Sequence, residues 1–149
     1  MTPYVAVVGA GRATAEQLEA AEEVGRRVGD AGAVLVCGGL GGVMEAACRG
    51  AKAAGGTTLG ILPGIRRADA NPFVDVAVPT GLGEARNALV ARAADALIAV
   101  AGEYGTLSEI ALALKGGKPV VGLDSWEIEG VVIASSPSDA VRLALDSAE

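Results

Sequence analysis

Short apolar runs that end in glycine alternate along this chain with alanine-rich segments whose apolar positions recur every three to four residues. The runs Tyr4 to Val8, Val34 to Cys37, Thr58 to Leu62, Val74 to Val78, Ala96 to Val100 and Val120 to Leu123 have strand length, and Val131 to Ala134 reads as an edge strand. The periodic segments predict helices over Ala15 to Val28, Val43 to Ala54, Glu84 to Ala94, Leu107 to Lys115 and Pro137 to Ser147. In the first, Leu18, Ala21, Val24 and Val28 share one face, and Thr14-x-x-Gln17 forms a capping box at its start. Ser136-Pro137 supplies an N-cap and a proline at the first helical position for the last. This alternation of strands and helices predicts an α/β fold: a single-domain, Rossmann-like, doubly wound, mainly parallel sheet flanked by helices over residues 1–149.

In such sheets ligands bind beyond the carboxyl ends of the strands, where the winding direction reverses. Four glycine-rich loops are expected there: Gly9-Ala-Gly11-Arg12, Gly38-Gly39-Leu-Gly41-Gly42, Thr80-Gly-Leu-Gly-Glu-Ala-Arg86 and Gly102-Glu-Tyr104-Gly105-Thr106. Each leads into a helix, so backbone N–H groups and the positive dipole end are available to a phosphate. The helix after Gly42 has no Ser, Thr, Asp or Asn cap, leaving donors that either an anion or water can satisfy. Gly9-x-Gly11 lacks the third glycine of a dinucleotide fingerprint, because Thr14 stands there, and NAD is not indicated.

Composition narrows the chemistry. Half of the 149 residues are apolar, only 3% are aromatic and 22 are glycine, so the core is built from Ala, Val, Leu and Ile. A net charge of -6 argues against nucleic-acid or acidic-membrane partners, which draw on clustered Lys and Arg. No apolar run approaches the roughly 18 residues of a membrane span, no secretory leader is evident, and a cytoplasmic location is expected. There is no histidine, which excludes Ser-His-Asp and Cys-His catalysis and His-ligated metal. Cys37 and Cys48 have neither the spacing nor the number of a metal or disulfide framework and read as buried free thiols. No metal ligands are assigned.

Four residues have more than one reading. Arg86 falls in the first turn of its helix, where the dipole disfavours a cation; either a carboxylate such as Glu84 or Glu109, or a ligand phosphate, accounts for it. Thr106-Leu-Ser-Glu109 fits a second capping box, with Glu109 reaching back to the threonine N–H, or else Glu109 is a general base or ribose-binding carboxylate. Arg66 and Arg67, in the long connection Gly64 to Phe73, are either ligand contacts or a solvated loop tip.

The segments Gly38-Gly-x-Gly-Gly-Val-Met44, Gly60-Ile-Leu-Pro-Gly64, Gly81-x-Gly-Glu-Ala-Arg-Asn87 and Gly105-Thr-Leu-Ser-Glu109 together resemble the Lonely guy (LOG) superfamily of Rossmann-like proteins. The resemblance extends from Val5 to about Leu123, and is closer to the short branch that includes molybdenum cofactor carrier proteins. It implies a Rossmann-like nucleotide-binding domain, catalytic roles for Arg86 and Glu109 where the member is a phosphoribohydrolase, and phosphate contacts from Gly105 and Thr106. Asn87 stands where the enzymes have lysine, and Ala101-Gly-Glu103 replaces Pro-Gly-Gly, placing a carboxylate in the loop expected to face phosphate.

The expected function is therefore binding of a phosphorylated, nucleotide-like ligand, with molybdopterin or a nucleotide monophosphate as cargo and no required cofactor. The expected ligand contacts are Gly9, Gly11, Gly38, Gly39, Gly41, Gly42, Gly102, Tyr104, Gly105 and Thr106. The alternative is hydrolysis of the N-glycosidic bond of a nucleoside 5′-monophosphate; lysine decarboxylation has no support. The superfamily suggests a homodimer or higher homo-oligomer.

Overall fold

The computed structural model describes residues 1–148, so the last residue of the expected domain lies outside the described part. Seven strands form one sheet: β1 (Tyr4–Gly9), β2 (Val34–Cys37), β3 (Thr57–Leu62), β4 (Val76–Pro79), β5 (Ala96–Val100), β6 (Val120–Leu123) and β7 (Val131–Ile133). Their order is β4-β3-β2-β1-β5-β6-β7, and every pairing is parallel. The chain winds outward from β1 to β4, then returns to lay β5 on the other side of β1, so the winding reverses between β1 and β5.

Alternation along the central strands sorts the core into two layers. Val5 and Val7 of β1, with Ala96, Ile98 and Val100 of β5, face the helices α1 (Ala15–Asp30), α2 (Val43–Ala53) and α5 (Pro137–Ser147). Ala6 and Val8, with Leu97 and Ala99, face α3 (Asn87–Ala93) and α4 (Tyr104–Lys115). Both central strands are buried on both faces, which explains why they read as continuous apolar runs.

The caps of α1 and α5 form as the sequence indicates. Gln17 N donates to Thr14 Oγ1 at 3.2 Å while Thr14 N donates to Gln17 Oε1 at 3.0 Å, and Asp139 N donates to Ser136 Oγ at 3.0 Å. Three element starts differ by two or more residues. The segment expected as a helix from Glu84 begins instead as a 3-10 turn, Gly83–Arg86, and becomes α-helical at Asn87. Strand β4 starts two residues later than Val74, because Asp75 N turns toward Thr58 and bonds both its carbonyl oxygen and its Oγ1. Helix α4 starts at Tyr104, three residues earlier than expected. The two thiols are buried and free, with sulfurs 3.5 Å apart. Their contact holds the Cys37 thiol below its ordinary range and pushes Cys48 above it.

Helices α1 and α2 cross at glycines. A Cβ on Gly25 would sit 1.9 Å from Ala47 O, and one on Gly50 would sit 1.9 Å from Glu22 O. Each glycine costs about 1 kcal/mol of helix propensity relative to alanine, and the close approach of the two backbones accounts for both. Gly25→Ala is therefore expected to lower stability by about 1–3 kcal/mol in urea unfolding, because the added methyl must push the helices apart. A rise in stability, as propensity alone requires, would contradict this crossing.

Candidate functional site

The reversal of winding parts the loops that follow β1 and β5, and a cavity of about 350 Å³ opens between them. Its walls include Gly9, Gly11 and Arg12 from the first loop, Glu103, Gly105 and Thr106 from the fifth strand's loop and helix, Met44 from α2, and Arg86, Asn87 and Glu109.

Arg86 is held by its neighbours rather than by a carboxylate. Its Nη1 donates to Asn87 Oδ1, and its Nη2 approaches Gly38 O at 3.4 Å. Its Nε is buried and has no hydrogen-bond partner. Among the described residues Arg86 forms no salt bridge with Glu84 or Glu109, so the expected carboxylate partner is not there. Asn87, only 7% exposed, extends the support: its Nδ2 donates to Ser108 Oγ at 3.1 Å, and that hydroxyl donates to Gly105 O at 2.7 Å. The residue that departs from the enzymes' lysine thus ties Arg86 to the first turn of α4.

The second capping box does not form. Because α4 begins at Tyr104, Thr106 and Glu109 are the third and sixth residues of the helix, so Thr106 is not the N-cap and Glu109 is not the residue that would close a box with it. The N-cap residue is Glu103, which makes no side-chain cap, so the N–H groups of the first turn have no side-chain acceptor. Thr106 and Glu109 are 4% and 7% exposed, and both line the cavity. Burial raises the Glu109 carboxyl from 4.5 to about 7, with the nearby Arg86 charge opposing the rise.

The glycines divide by what a Cβ would meet. At Gly9 it would strike Val100 O and Val43, at Gly38 the Arg86 guanidinium and Met44, and at Gly102 the Thr106 side chain. Gly39 and Gly42 have positive φ and face Leu62 and the Ala10 and Gly11 carbonyls. Gly9, Gly39, Gly42 and Gly102 are required by the backbone around them, whereas at Gly38 the neighbours are the ends of two flexible side chains. Gly11, Gly41 and Gly105 have open space where a Cβ would be, and of these Gly11 and Gly105 line the cavity. The cavity lining does not include Gly38, Gly39, Gly41, Gly42, Gly102 or Tyr104. At the start of α2, Val43 N donates to Ala10 O at 3.0 Å, so a neighbouring loop fills part of the role expected of an anion. Arg66 pairs with Asp69 at 2.8 Å, and neither it nor the exposed Arg67 reaches the cavity.

Arg12 and Asn87 line the site without having been singled out as ligand contacts. Arg12 had a signal in its sequence, a cation directly after Gly9-x-Gly11; the support from Asn87 had none, because it depends on Ser108 of another helix. Glu103 is exposed at the rim, where water screens its charge from an anion inside. Among the described residues, no three Cys, Asp or Glu side chains gather as a metal site.

The family described as SLOG cluster4 matches residues 2–148. The chain belongs to the SLOG cluster4 family. This SLOG cluster4 protein is similar over its length to the molybdenum cofactor binding protein of the phototrophic bacterium Rippkaea orientalis. The TM-score is 0.93 at 39% identity, covering 98% of this chain and 97% of that one. The molybdenum cofactor carrier protein of Chlamydomonas reinhardtii gives a TM-score of 0.89 at 35% identity, covering 99% and 98%. A cytokinin riboside 5′-monophosphate phosphoribohydrolase of Mycobacterium tuberculosis is 37% identical over 122 residues, which cover 75% of this chain and 65% of that enzyme. The Rossmann-like α/β fold and the expected superfamily are thereby established. No described helix is long and apolar enough to cross a membrane.

The Glu109 environment has a thermodynamic consequence. A carboxyl raised from 4.5 to about 7 favours folding fully only below about pH 4.5, and that contribution is lost as pH rises through 7. Glu109→Gln, which cannot ionise, is expected to be more stable than the parent at pH 8 by on the order of 3 kcal/mol, with the difference vanishing near pH 4.5. Melting curves across this range check it; a constant difference would show that Glu109 is not ionising in a buried setting.

Proposed function

We propose that this protein binds a phosphorylated, nucleotide-like ligand between the β1 and β5 loops and acts as a carrier, with molybdopterin or its nucleotide form as cargo. The observation that carries this reading is the buried Nε of Arg86, a cationic donor with no acceptor among the described residues. A buried unsatisfied donor costs about 1–3 kcal/mol or more when charged, and a phosphate oxygen is the acceptor that a guanidinium fork best fits. Open space at Gly11 and Gly105 and the uncapped first turn of α4 give the remaining oxygens backbone partners. The likeness to two molybdenum cofactor proteins supports the cargo. On this reading residues 1–149 are one nucleotide-type binding domain, cytoplasmic and homo-oligomeric, with neither nucleic acid nor membrane as partner.

Hydrolysis of a nucleoside 5′-monophosphate is the second reading. It is favoured by one observation: Glu109, buried, with its carboxyl raised to about 7 and lying near the Arg86 charge, is suited to proton transfer at neutral pH. Arg86 would then stabilise developing charge, and Glu109 would bind ribose hydroxyls or activate water.

One set of measurements separates them. Nucleoside monophosphates and a pterin phosphate are titrated calorimetrically against the parent protein and Arg86→Ala, and ribose 5-phosphate release is assayed in parallel. The carrier reading expects binding weakened about 10- to 100-fold by Arg86→Ala, without base release. Release that disappears in Glu109→Gln makes the protein a hydrolase. Absence of any heat or melting-temperature change with all of these ligands at millimolar concentration sinks both readings.

A further inference from the structure

The chain has four aromatic residues, and two of them, Tyr104 and Trp126, meet beside Glu103, a residue of the cavity wall. The rings of Tyr104 and Trp126 lie 6.0 Å apart, centre to centre, and are tilted by 30°. Trp126 is half-buried against the core layer that contains α3 and α4, and its indole Nε1 donates to Glu103 O at 3.0 Å. It is fixed from below and at its polar edge. Tyr104, resting on it, is 80% exposed. Trp126 serves the packing of that layer, but a tyrosine so exposed fills no part of the core.

Beside Tyr104 runs a second groove of about 670 Å³, which shares Arg86, Asn87 and Gly105 with the anion cavity. Tyr104, Leu112 and Ala88 make its walls partly apolar, and Ser108 adds a hydroxyl. The two spaces meet at Arg86. A ligand whose phosphate lies on the guanidinium therefore has its remainder directed either to water or along this groove, past the tyrosine ring.

We propose that Tyr104, held by Trp126, is the stacking platform for the planar heterocycle of the bound ligand, and so selects a ring-bearing phosphate over a ringless one. This rests on the anion reading of the cavity given above and assigns the groove to the same molecule. Stacking of a base on an aromatic side chain strengthens binding by about ten- to a hundredfold and tolerates different rings, since each presents a π-face. The phenol ring, not its hydroxyl, supplies the effect.

The test uses the full chain with GMP, 6-hydroxymethylpterin phosphate and ribose 5-phosphate as probes, titrated against the parent, Tyr104→Ala and Tyr104→Phe. At least one ring-bearing probe is expected to bind the parent at least tenfold more tightly than ribose 5-phosphate. Tyr104→Ala should remove that advantage while leaving ribose 5-phosphate unchanged within about twofold, and Tyr104→Phe should retain it. Fluorescence of Trp126, the sole tryptophan, should change with the ring-bearing probe and not with ribose 5-phosphate. Equal affinity for ring-bearing and ringless phosphates overturns the platform and leaves the anion site standing; no binding of any probe removes both. A Tyr104→Ala protein that binds normally but changes subunit number in native mass spectrometry also overturns it, because Tyr104 is then a contact between copies of the chain.

Discussion

Strand β1 pairs with β2 on one side and with β5 on the other, both in parallel, and this placement fixes where every other functional group lies. Parallel pairing directs all the strand-to-helix loops to one edge. Winding to the left from β1 and to the right from β5 sends α1 and α2 to one face and α3 and α4 to the other, so that the loops after β1 and β5 separate instead of packing together. The gap between them is a consequence of chain direction, and side chains only decide what it holds. Here they supply a guanidinium at the junction, a buried carboxyl on one wall, and two glycines whose missing side chains leave backbone within reach.

Arg86 and Glu109 lie close enough for charge to be felt but are not paired. Asn87 instead accepts from the guanidinium and donates in turn to Ser108. The result is a cation with directional capacity to spare beside a carboxyl whose burial brings its protonated and ionised forms close to balance near neutral pH.

The strands and most helices were legible because their buried positions are apolar and their ends are marked by glycine, as with Ala96–Val100, or by a side-chain cap, as with Ser136. Where the end depends on tertiary contact the local pattern misled. Thr106-Leu-Ser-Glu109 has the residues of a capping box, yet the helix starts at Tyr104, and Thr106 packs against Gly102 so closely that a Cβ there would overlap it. The resemblance singled out Arg86 and Glu109, which the fold brings to one cavity, but it did not separate glycines needed by the backbone from those that face open space. That distinction requires knowing that Gly9 lies against Val43 and Val100 while Gly105 lies against nothing. The role of Asn87 was invisible for a similar reason, since its partner is twenty-one residues away on another helix.

The glycine crossing of α1 and α2 lies along the shafts of the two helices rather than at their tips. Yet α1 begins just after Arg12 and α2 just after Gly42, and Val43 N is bonded to Ala10 O, so the helices carry two walls of the cavity on their amino ends. The interval between Gly25 and Ala47 thus acts as a gauge for the mouth of the site. A chain that drifted by one methyl at that contact would keep every residue of the cavity and still hold them at a different separation.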